Sequence, residues 1–156
     1  MQHFIVDGYN VIHQIPSLKK LLAHNAEGAR EQLIYYISRL TLKRKFRCTV
    51  VFDGEQANTL QKQSVHAPIH VLYSFPQIAD AKIKQMIEES KNRSLLVIIS
   101  SDREILNFAQ VCACETHTSK YFINLLFEEQ SSGEEKDSGP LSKTQVEEWL
   151  KIFGEK

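Results

Sequence analysis

Cysteine is scarce, long apolar runs are missing and neither sign of charge is in excess, and each shortage excludes something. Cys48, Cys112 and Cys114 are odd in number and form no C-x-x-C pair, so they read as reduced thiols of a cytoplasmic protein, not a disulfide framework. No apolar stretch approaches the roughly 20 residues that cross a bilayer, so no membrane partner is expected. The opening MQHFIVDGYN lacks the basic start and long apolar region of a signal peptide. What is present is ordinary globular material. The 156 residues are 42% hydrophobic, enough for one cored domain and too much for disorder throughout.

Lysine plus arginine and aspartate plus glutamate both number 19, but they are unevenly spread. Residues 13–50 hold eight basic side chains and only Glu27 and Glu31 in opposition. Residues 128–138 hold five acids and Lys136. This asymmetry fits a polyanionic partner whose attraction the acidic segment partly offsets, and it fits equally two solvated surfaces.

Short β-branched runs alternate with helical patterns. HFIVD (3–7), CTVVFD (48–53), IHVLYS (69–74), LLVIIS (95–100) and VCACE (111–115) read as strands. Helices are expected from about Glu27 to Lys45, around Ala79, Ile83, Met86 and Ile87, and around Ile105, Phe108 and Ala109. A further one, through YFINLLFEE, has Ser119 available as its cap. Strands without polar alternation, separated by helices, predict an α/β domain with a mostly parallel central sheet. That domain is expected over residues 1–129. The polar QSSGEEKDSGP (130–140) reads as a mobile acidic loop, and LSKTQVEEWLKIFGEK (141–156) as a capped helix docking back on the same domain. There is no internal repeat.

In an open parallel sheet, ligands collect beyond the carboxyl ends of the strands. Asp7 closes the first predicted strand, Asp53 the second, and Asp102 follows VIISS. Asp80 sits in the first turn of the helix after IHVLYS. Each has an ordinary use: Asp102 as a helix N-cap, Asp80 against a helix dipole, Asp53 with Gly54 as a turn. Together they predict a carboxylate cluster at one sheet edge. Two unit charges about 4 Å apart at an effective dielectric of about 20 repel by roughly 4 kcal/mol. A hard divalent cation relieves that cost, and Mg²⁺ or Mn²⁺ suits oxygen ligands. The six histidines form no H-E-x-x-H and no Cys/His cluster. Neither phosphate-cradling glycine motif occurs, nor does G-x-S-x-G, and Tyr9 stands where a haloacid-type phosphatase needs its second aspartate. A metal-dependent nuclease fits what remains.

FIVDGYNVIH (4–13) resembles the opening motif of NYN domains, a branch of the PIN-like nucleases, and in particular the YacP-like group. The resemblance continues through VVFDG (50–54), ADAKIKQMIEE (79–89), VIISSDREI (97–105) and LSKTQVEEWLKIFG (141–154), in the same order. It implies a Rossmann-like, three-layer PIN fold and a Mg²⁺- or Mn²⁺-dependent endoribonuclease acting on mRNA, in association with the ribosome. Carried over by motif, Asp7, Asp80 and Asp102 are metal-binding and catalytic acids, and Asp53 is a fourth metal ligand. Asn10 is their polar partner, able to orient a water or phosphate oxygen. Ser100 and Ser101 stand where the family often has Thr-Ser. PIN nucleases also carry an early-helix glutamate, for which Glu27 and Glu31 are available. Single-stranded RNA is then expected along Arg39, Lys43, Arg44, Lys45 and Arg47, with contacts from Ser101 and Arg103 and a base stacked on Tyr9, Tyr35 or Tyr36. The competing class is a non-catalytic RNA- or ribosome-binding adaptor on the same fold.

Overall fold

The computed structural model describes residues 1–54 and 69–130. Of the acidic loop expected over 130–140 only Gln130 is described, inside a helix; the rest of the loop and the C-terminal helix expected over 141–156 lie outside the described residues. Five strands form one all-parallel sheet: β1 (His3–Asp7), β2 (Arg47–Phe52), β3 (Ile69–Tyr73), β4 (Leu96–Ile99) and β5 (Glu115–His117), in the order β3-β2-β1-β4-β5. Side-chain alternation divides their apolar residues between two cores. Phe4, Val6, Cys48, Val50, Phe52, Val97 and Ile99 face one side, and Ile5, Val51, Leu96 and Ile98 the other. Burial on both faces explains why these strands read as continuous apolar runs.

Helices cover both faces, giving three layers. α1 (Gly8–His13), α2 (Pro16–His24), α3 (Ala26–Lys43) and α6 (Ser119–Gln130) contribute to the first core. α4 (Ala79–Glu89) and α5 (Arg103–Val111) contribute to the second. In α3, Ala29, Leu33, Ile37 and Leu40 make the buried stripe, and the Asn25 side chain accepts from the Gly28 amide at 2.9 Å to cap the start. The helix ends at Lys43, two residues before the expected boundary.

Three expectations are corrected. Residues 8–24 carry α1 and α2, where no helix was expected. α1 is short and its buried Val11 and Ile12 look like a continuing strand, and α2 buries only Leu18. The fifth strand is Glu115–His117, not 111–115, because α5 runs to Val111 and Ala113 then turns the chain at φ +68°. Its amide bonds back to Gln110, and Cys114 to Ala109, closing the helix as a glycine ordinarily would. Finally, Ser119 is not the cap of α6. Thr118 Oγ1 accepts from the Tyr121 amide at 3.2 Å, while the buried Ser119 hydroxyl is committed elsewhere.

The chain runs outward from β1 through β2 to β3, then returns to place β4 on the other side of β1. The reversal makes a crevice beyond the carboxyl ends of β1 and β4. Among the described residues no helix is long and apolar enough to cross a membrane.

Candidate active site

Asp7 is the last residue of β1, and Asp102 follows β4, so these two acids flank the crevice. One hydroxyl joins them. Ser100 is fully buried; its Oγ donates to Asp7 Oδ2 at 3.0 Å and accepts from the Asp102 amide at 3.0 Å. Burial pushes the Asp7 carboxyl up to about 6; the Ser100 bond opposes the rise, and the charges of Asp102, Asp53 and Asp80 add to it. Asp102 is also the N-cap of α5, its Oδ1 accepting from the Glu104 amide at 2.9 Å. The ordinary use and the crevice position thus coexist in one side chain.

Asp80, in the first turn of α4, meets Asp102 from the second-core side together with Glu104. Carboxylate oxygens of these three lie within 4.8 Å of one another. Lys84 answers part of that charge, its Nζ 2.8 Å from Glu104 and 3.2 Å from Asp80. Lys84 competes for these carboxylates, whose hard oxygen donors fit Mg²⁺ or Mn²⁺. Glu104 was missed from sequence: α5 brings it to the cluster, and its position two residues after Asp102 carries no ligand motif of its own. Asp7 and Asp53 stand outside this trio, although Asp7 feels its charge. Asp53 is exposed and its Oδ1 accepts from the Ala79 amide at 2.9 Å and from Ser74 Oγ at 3.2 Å. It thereby caps α4, whose own N-cap residue, Ile78, has no side-chain acceptor.

Asn10 does not present its carbonyl to the crevice for a ligand. Oδ1 accepts from the Ser101 amide at 2.9 Å and from the Ser119 hydroxyl at 2.5 Å, tying α1 to the β4–α5 turn and to α6. Only its amide Nδ2 is left without an acceptor among the described residues. The glycine of the D-G-Y-N run has a steric reason. A Cβ on Gly8 would lie 2.4 Å from the buried Phe52 ring, so α1 can start directly behind Asp7 only if residue 8 has no side chain.

The expected RNA track is split by the fold. Arg47 pairs with His3 at the amino end of the sheet, whereas Asp7 pairs with Val51 at the other end. Lys43, Arg44 and Lys45 belong to the same remote turn, and Arg39 lies in the C-terminal half of α3 against Tyr35. Strand rise puts that turn on the order of 13 Å from the acids along β1. Arg103 and Ser101, both exposed, do border the crevice. Tyr9 packs its ring on Phe52, with centroids 4.9 Å apart, and Tyr36 packs edge-on to Phe127. Tyr35 remains half exposed, at 50%.

A parallel sheet with carboxylates gathered at its reversal point is the arrangement of a nuclease-like α/β domain. The profile of the YacP-like NYN domain matches residues 4–152, and the chain belongs to that family. It is 31% identical over 93 residues to the uncharacterized protein YacP of Bacillus subtilis (strain 168), a match covering 59% of this chain and 55% of that protein. The aligned part therefore spans about half of that relative's length. In fold, the chain resembles crystal structures of Rae1 (YacP) from Bacillus subtilis. One, of a mutant, gives a TM-score of 0.71 at 21% identity, covering 99% of this chain and 94% of the other. A second gives 0.68 at 24% identity, covering 98% and 92%.

Proposed function

We propose that this protein is a divalent-metal-dependent endoribonuclease, hydrolysing single-stranded RNA to leave a 3′-hydroxyl and a 5′-phosphate. The carrying observation is the meeting of Asp80, Asp102 and Glu104 within 4.8 Å, beside a half-buried Asp7, at the reversal point of the sheet. Asp80, Asp102 and Glu104 would hold the cation, with Asp7 adjoining. A Mg²⁺ or Mn²⁺ there supplies charge neutralisation at the scissile phosphate and a water of lowered pKa. Ser100 occupies Asp7 Oδ2, leaving Oδ1 to accept the proton of the attacking water as its oxygen bonds to phosphorus and the bond to the 3′-oxygen breaks. Burial raises the affinity of this carboxyl for a proton, which suits it to that step. Asn10 holds the β4–α5 turn, and so Asp102, in register with α1. Action on mRNA at the ribosome, in the cytoplasm, rests on the family resemblance.

The adaptor reading has an observation of its own: Lys84 neutralises part of the cluster, and Asp53 and Asp102 both cap helices. Labelled single-stranded RNA incubated with Mn²⁺, Mg²⁺ or EDTA separates the two. Cleavage that EDTA stops and that Asp102→Asn abolishes supports the nuclease; binding without cleavage under every metal supports the adaptor.

A further inference from the structure

A second group of side chains at the carboxyl edge of the sheet is rich in hydrogen-bond donors and contains no carboxylate. Arg30, in the second turn of α3, donates from an Nη to the Tyr9 hydroxyl at 2.9 Å, and its guanidinium lies 5.8 Å from the centre of the Tyr73 ring. Tyr9 follows Asp7 by two residues, and Tyr73 ends β3, so three separate elements deliver this group to the edge that carries the acids. Among the described residues, Arg30 meets no carboxylate within ion-pair distance, which is unusual for a half-buried guanidinium. The Tyr9 oxygen already accepts from Arg30, so its own proton is available to a further acceptor, and none of the described residues takes it. Tyr73 is in the same position. Burial raises its phenol above the ordinary value, so the hydroxyl keeps its proton at neutral pH. Glu27, one turn earlier on α3, is a carboxylate whose charge reaches Tyr73.

A fixed cation flanked by two hydroxyl protons, with no acceptor, is the complement of an oxyanion. We propose that Arg30, Tyr9 and Tyr73 form a phosphodiester cradle that grips the RNA backbone next to the cleavage site. This rests on the ribonuclease reading above. It gives Tyr9 the part of a hydrogen-bond donor in place of a stacking platform, in keeping with a ring packed on Phe52.

The test uses the full chain in EDTA, with fluorescence anisotropy of a labelled single-stranded RNA across a NaCl series. Arg30→Met is expected to weaken binding about tenfold at low salt and to lower the slope of log K against log salt by about 0.7, the loss of one single-strand phosphate contact. Arg30→Lys should keep the slope, and Tyr9→Phe should weaken binding with the slope retained. A bond that only ties α3 to α1 predicts the opposite: lower thermal stability in all three variants, with the slope unchanged in Arg30→Met. That result, or wild-type affinity in Arg30→Met, overturns the cradle. Should Arg30→Met fail to fold, Tyr9→Phe carries the test, and binding at wild-type affinity overturns the cradle. Wild-type protein that neither binds nor cuts RNA overturns the ribonuclease reading along with it, whereas RNA cut normally by Arg30→Met in Mn²⁺ overturns the cradle alone.

Discussion

Asp7 stores free energy that the folded chain would be better off without. Its carboxyl is raised from 3.8 to about 6, so between those values the native state holds a proton that the unfolded state has lost. Stability falls as pH rises through that window, and above it the full penalty applies, on the order of 3 kcal/mol. In EDTA, Asp7→Asn should therefore melt at a higher temperature than wild type at pH 7.5, with the gap closing toward pH 4, while RNA cleavage is lost. Equal melting curves at both pH values would contradict the assigned burial penalty. Lys84 gives a second residue-scale prediction, since an ammonium 2.8–3.2 Å from Glu104 and Asp80 competes with any added cation. Lys84→Met should bind Mn²⁺ about tenfold more tightly by calorimetry. Asp7, Asp80 and Asp102 were legible as strand-end and helix-start acids. Glu104 was not, because what makes it relevant is α5 lying beside α4, a contact between segments distant in sequence.

Among the elements that sequence patterning mistook, α1 and the end of α5 are governed by local sterics. Ala113 ends α5 at φ +68°, a region that disfavours any side chain by about 1 kcal/mol. Without a glycine at 113 to mark the stop, VCACE reads as a strand. Ala113→Gly should stabilise the fold by up to about 1 kcal/mol, read as a raised urea midpoint, with cleavage unchanged. α1 has the reverse requirement. Gly8→Ala would press a methyl into Phe52 at 2.4 Å, and overpacking of this kind costs about 1–3 kcal/mol. Because α1 carries Asn10, which holds the Ser101 amide, this variant should lose activity by more than its lowered midpoint explains, measured at a temperature where both proteins stay folded.

Across the whole molecule, the basic cluster prominent in the sequence and the acids of the crevice lie at opposite ends of the sheet. The basic residues at 39–47 dominate the sequence, yet the sheet places the last of them beside His3, at the end remote from the acids. Arg103 is only one residue from Asp102 and opens α5 at the crevice. Arg103→Ala should therefore weaken RNA binding several-fold more than Arg47→Ala, read by anisotropy at one fixed salt concentration. Equal losses would favour a strand running the full height of α3.

The sequence by itself determined the class of fold, because strands buried on both faces leave continuous apolar runs whose spacing by amphipathic helices allows little but a parallel α/β sheet. It also marked Asp7, Asp80 and Asp102 as candidate site residues, through carboxylates just after two strands and at the start of a helix. Only the tertiary structure decided how they combine. It gave Asp53 to the cap of α4, gave Asn10 to a backbone amide and a serine, and joined Asp7 to Asp102 through one buried hydroxyl. Those choices depend on distances between chain segments up to 109 residues apart, and local patterns of residues do not encode distances of that kind.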